Sequence, residues 1–169
     1  MLKRENDYLM KQTFDDKIYE LVVLLSINRM EVVNSVRKHL ENQGYTVSHS
    51  LDKYGISVEM LAKRDKDTFL IEAIGEDSGG GRGIVYALGK LVQRMTELGF
   101  WIHYSVAMPK SYYKLLKDFE VGGFQTLKLH LFLVNSLYML IHLDPKEIVE
   151  MIQQLKAGQI VNPDLITDF

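Results

Sequence analysis

The segment TFLIEAIG, Thr68 to Gly75, constrains this chain more than any other, being an apolar run of strand length with a carboxylate, Glu72, in its middle. A run so short and so uniformly apolar is expected to be a strand buried on both faces, at the centre of a sheet with layers packed above and below. An unpaired carboxylate in such a place costs several kcal/mol. Glu72 therefore requires a compensating group.

The preceding segment, Ile56 to Ala62, alternates as a strand, and the run KRDKD, Lys63 to Asp67, reads as a charged hairpin turn between the two. The hairpin brings a second acid, Glu59, beside Glu72. Two carboxylates held close repel, and either a proton on one of them or a hard divalent cation such as magnesium relieves the repulsion.

Upstream, Asp15 to Gln43 has helical spacing, with apolar Ile18, Leu21, Val22 and Leu25, then Met30, Val33, Val36 and Leu40. Asn28 and Glu31 have the spacing of a capping box, which predicts a break near Asn28 and makes residues 1–29 a helical extension. Gly44 ends the second helix, and Tyr45 to Ser50 reads as the first strand. After the acidic strand, EDSGGGRG, Glu76 to Gly83, is expected to be a loop. It lacks the ending of a phosphate-binding P-loop.

Ile84 to Leu98 has the pattern of an amphipathic helix, with Lys90, Gln93, Arg94 and Glu97 on its outer face. Trp101 to Ala107 follows as a strand, Pro109 to Phe119 as a helix, and Leu127 to Val134 and Leu137 to Leu143 as strands. Asp144 and Pro145 open a final helix that runs to about Lys156, leaving 158–169 as a tail. The expected fold class is α/β, a mixed central β-sheet flanked by helices, in one domain spanning 30–157.

Composition narrows the chemistry. The chain has 169 residues, 47% of them hydrophobic, enough for one substantial core. It contains no cysteine, which removes disulfides, thiolate metal sites and cysteine nucleophiles. No window reaches the roughly eighteen consecutive apolar residues of a membrane span, and the charged start MLKRENDYLMKQ lacks a signal-peptide core, so a cytoplasmic protein is expected. A net charge of −2 argues against coating nucleic acid by bulk attraction and leaves local basic patches, at Lys63, Arg64 and Lys66 or at Arg82, Lys90 and Arg94. His49, His103, His130 and His142 lie in or beside strands without metal-ligand spacing and read as structural.

From Met30 to about His142 the sequence resembles the PD-(D/E)XK nuclease superfamily of restriction endonucleases and Holliday-junction resolvases. MEVVNSVRKHLENQGYTV is similar to its opening helix and first strand, and ISVEMLAKRDKDTFLIEAIG to the strand pair that carries its acidic motif. IVYALGKLVQRM looks like the following helix, WIHYSVAMP the next strand and LKLHLFLV a later core strand. The resemblance implies a restriction-endonuclease-like fold, with Glu59 and Glu72 as metal-binding acids for magnesium or manganese. It also implies Glu31 as an assisting helix glutamate and nucleic acid as partner, DNA in preference to RNA.

One position departs from the family. Its lysine would stand two residues after Glu72 on the same strand face, where this chain has Ile74. Isoleucine can neither orient an attacking water nor offset charge on a phosphate. Lys90 is the substitute expected from the following helix, with Arg82 or Arg94 gripping the phosphate backbone. Two functions follow: magnesium-dependent phosphodiester hydrolysis completed by Lys90, or a catalytically silent module that binds nucleic acid or protein, with a homodimer through the apolar amino-terminal helix as one form.

Overall fold

The computed structural model describes residues 26–51, 57–95 and 100–161. The helix expected over Asp15 to Leu25 and most of the carboxy-terminal tail lie outside the described residues. The first described helix, α1 (Arg29–Asn42), begins where the capping signal places it. The Asn28 side chain accepts a hydrogen bond from the Glu31 amide at 3.0 Å, and the Glu31 carboxylate accepts one from the Asn28 amide at 2.8 Å. Two otherwise orphaned amides of the first turn are satisfied in this way.

Three antiparallel strands follow: β1 (Thr46–Leu51), β2 (Ser57–Arg64) and β3 (Asp67–Ala73). Asp65, with φ of 53°, makes the tight β2–β3 turn in a left-handed conformation that aspartate tolerates better than most residues. Helix α2 (Gly81–Val92) then leads to β4 (Ile102–Pro109), and a 3₁₀ segment (Lys110–Asp118) with helix α3 (Val121–Leu127) leads to β5 (His130–Val134). Strands β3, β4 and β5 run parallel, as such crossovers require, and β6 (Leu140–Leu143) returns antiparallel to β5 before helix α4 (Pro145–Lys156). The described residues form a six-stranded mixed sheet in the order β1-β2-β3-β4-β5-β6. The expectation of a mixed sheet flanked by helices holds.

Alternation along β3 divides its residues between two cores. Phe69, Ile71 and Ala73 face α1, where they meet Val33, Val36, Leu40, Met60 and Phe132. Ile74 and Leu70 pack on the other side with Ile84, Ala87 and Leu91 of α2, and that core continues to Ile148 and Ile152 of α4. The doubly buried strand expected from the apolar run is therefore present at the middle of the sheet.

Several boundaries differ from the sequence expectation. Helix α2 begins at Gly81, inside the glycine-rich segment, and ends at Val92 instead of Leu98. The segment after Pro109 is a 3₁₀ helix, and Val121–Leu127, with two glycines, forms a helix where none is expected. Both strands of the last hairpin are shorter than their apolar runs. Packing against β5 and α4 overrides weak local propensity here.

Gly75 joins the acidic strand to the rest of the fold by close backbone contact. A Cβ at this position would stand 2.2 Å from the Arg29 amide nitrogen and 2.6 Å from the Asn28 carbonyl carbon. Gly75→Ala is expected to destabilise the protein by about 1–3 kcal/mol, read as a lowered midpoint in urea. An unchanged midpoint would show that the two segments can separate without cost.

Candidate functional site

Register brings the acidic pair together. Met60 lies opposite Ile71 across the β2–β3 ladder, and one further step of the same register sets Glu59 opposite Glu72, on the face covered by α2. Glu72 is 2% exposed and Glu59 keeps 14% of its side-chain surface. The two carboxylates are near enough for the charge on Glu59 to raise the proton affinity of Glu72.

Each carboxylate has its own cation. The Lys90 ammonium lies 2.5 Å from Glu72 Oε2, reaching inward from the third turn of α2. The Arg29 guanidinium lies 3.4 Å from Glu59 Oε2, reaching over the sheet end from the start of α1. Arg29 is half-exposed, so its pair with Glu59 contributes little, on the order of 1 kcal/mol or less. The Glu72–Lys90 pair is a different matter because its carboxylate is sealed from water. Burial raises the Glu72 pKa, while the hydrogen bond and charge of Lys90 and, to a smaller extent, the charge of Arg94 act in the opposite direction.

Lys90, the residue expected to stand in for the missing strand lysine, lies against Glu72. Ile74 packs into the α2-side core at 4% exposure, on the face where Glu72 also points. Lys90 also lies 5.9 Å from the centroid of the Tyr86 ring, its predicted neighbour on the helix.

The remaining candidates stand elsewhere. Glu31 completes the α1 cap and accepts a hydrogen bond from the Tyr138 hydroxyl at 3.0 Å, so its partners belong to the cap and the β5–β6 hairpin. Arg82 occupies the first turn of α2 and is exposed. Arg94 is a correction: it is 8% exposed, with Nε and Nη2 buried, because α2 ends before it and the chain turns it inward. A guanidinium so enclosed cannot grip a phosphate backbone. Among the described residues no group of three or more His, Cys, Asp or Glu side chains has the arrangement of a metal site.

A second polar cluster lies on the opposite face of the sheet. His103 Nδ1 is 3.1 Å from His130 Nε2, and His130 Nδ1 is 3.1 Å from His142 Nε2, so three imidazoles form a chain across β4, β5 and β6. Phe69 stacks on His103 and Phe132 stacks on His142, while Asp67 stands 3.7 Å from His103 Nε2. Each contact needs one donor and one acceptor, and three neutral rings protonated on Nε2 satisfy both contacts together. Burial and neighbouring imidazoles push His130 down to about 3, and burial, followed by His39, pushes His142 down to about 4. These histidines are 27 and 12 residues apart. Their meeting depends on the parallel register of β4 and β5, which short-range spacing does not reveal.

No protein-family model matches this chain, and no curated protein or solved structure matches it either.

Proposed function

We propose that this chain is a restriction-endonuclease-like domain whose acidic pair is neutralised from within, and that it binds nucleic acid without cutting it. The element order supports the fold reading: an opening helix, three antiparallel strands, a crossover helix and a parallel strand, in the succession that the PD-(D/E)XK resemblance implies. The observation that carries the functional reading is the pairing of both acids with cations of the chain itself, Glu72 with Lys90 and Glu59 with Arg29.

The donor set does not fit a resident divalent ion. Each of the two carboxylates is already paired with a side-chain cation, Lys90 or Arg29, and the charge of the buried Arg94 also acts on Glu72. Glu72 Oε1, buried and without a hydrogen-bond partner among the described residues, is a single acceptor where magnesium takes about six oxygen ligands. Glu72 is also closed to a phosphodiester by its burial.

The competing reading, magnesium-dependent phosphodiester hydrolysis with Lys90 in the role of the motif lysine, has the Lys90–Glu72 contact in its favour. Calorimetry separates the two. Titration with magnesium or manganese is expected to give no saturable heat at millimolar concentration, and mixed DNA and RNA substrates are expected to remain intact. Saturable binding that disappears in Glu72→Gln, together with cleavage by the parent alone, would replace this proposal with the hydrolytic one.

A further inference from the structure

The sheet end opposite the acidic pair carries two open aromatic rings. Phe100 is 87% exposed and Trp101 54% exposed, immediately before β4. A hydrogen bond of 2.8 Å from the Thr68 amide to the Trp101 carbonyl fixes them beside the β2–β3 turn. Two adjacent aromatic rings left this open on the rim of a sheet take no part in either core.

Basic side chains surround the rings. Lys66, from the β2–β3 turn, places its ammonium 5.9 Å from the Trp101 ring centroid, and Lys128, just before β5, places its own 5.2 Å from Phe100. Both are within the range of cation–π attraction. Lys63 adds an exposed charge nearby, against Asp65 in the turn. The basic patch expected at Lys63, Arg64 and Lys66 thus acquires aromatic members and loses one cation, because Arg64 lies over the Tyr45 ring and donates a hydrogen bond to the Gln43 carbonyl.

Exposed rings interleaved with lysines are the chemistry of a stacking platform, in which unpaired bases lie on aromatic faces and phosphates meet the ammonium groups. We infer that the rim formed by Phe100, Trp101, Lys66 and Lys128 is a binding surface for single-stranded nucleic acid. A duplex does not fit this chemistry, since its bases are already stacked on each other. An acidic membrane would use the same cations but needs a wider apolar face than two rings provide. The inference rests on the nucleic-acid reading above and assigns it a place, about 13 Å along β3 from Glu72.

Trp101 is the chain's single tryptophan, so its emission reports on this rim alone. Titration with oligo-dT or oligo-rU of about 15 nucleotides is expected to quench that emission, and labelled oligonucleotide anisotropy should give the same affinity. Phe100→Ala and Trp101→Ala should each weaken binding about five- to a hundredfold. Lys66→Ala and Lys128→Ala should each reduce the logarithmic salt slope by about 0.7. Lys114→Ala, exposed in the 3₁₀ segment beyond the far end of β4, should bind like the parent.

Circular dichroism and urea midpoints equal to the parent's establish that these surface variants are folded. Binding that survives both aromatic substitutions would overturn the rim while leaving nucleic-acid binding intact. Absence of binding to any oligonucleotide would overturn both readings. Equal affinity for duplex, or quenching by anionic vesicles with none by oligonucleotides, would also overturn the assignment.

Discussion

Lys90→Met is expected to destabilise the protein by about 3–5 kcal/mol at neutral pH, because it strips a 2% exposed carboxylate of the cation 2.5 Å away. The loss should show as a large fall in the urea midpoint. Adding Glu72→Leu to Lys90→Met should restore most of the stability, since an apolar pair of similar volume requires no compensation in this core. The single variant should also recover relative to the parent as pH falls. Burial already raises the Glu72 pKa and removal of Lys90 raises it further, so the folded state takes up a proton before the unfolded chain does. A group of this kind favours folding below its unfolded pKa and loses that contribution as pH rises through the folded value. A Lys90→Met protein as stable as the parent at pH 7 would show that the pair contributes nothing to the fold.

Acidification should itself unfold the parent through the imidazole chain. The folded pKa of His130 is about 3 and that of His142 about 4, against an ordinary value of 6.5. Below pH 6.5 the unfolded chain binds protons that the folded chain refuses, so stability is complete above that pH and falls as pH drops toward the folded values. Each tenfold difference in proton affinity is worth about 1.4 kcal/mol, and the two rings together should cost on the order of 5 kcal/mol between pH 6.5 and 4. That is comparable with the whole stability of an ordinary domain, roughly 5–15 kcal/mol. Asp144 opposes the effect at both rings, and His103 adds to it. Urea midpoints across this range measure the slope, and a His130→Gln, His142→Gln protein should flatten it. A double variant with the parent's slope would assign acid sensitivity elsewhere.

Local signals in the sequence locate the parts of this fold that depend on neighbours a few residues apart. Asn28 and Glu31 mark the start of α1 because a capping box is closed within one turn. The hairpin carrying Glu59 and Glu72 is legible because a short charged turn leaves little freedom of register. Lys90 follows from helical spacing once α2 is known to pack on β3. The fate of Arg94 does not follow, since its charge assigns it to the outer face while the end of α2 carries it inward. Neither does the histidine chain, whose members meet only after one parallel crossover aligns β4 with β5 and a hairpin adds β6. The aromatic rim is of the same kind, because Lys66 and Lys128 come from turns 62 residues apart.

The missing side chain at Gly75 bears on how anything could arrive at Glu72. Main chain rests directly on main chain where the end of β3 meets the first turn of α1. Entry from the α1 layer would require dismantling the helix start, including its cap. A small molecule or ion that approaches this carboxylate from beneath α2 must first displace the lysine standing over it.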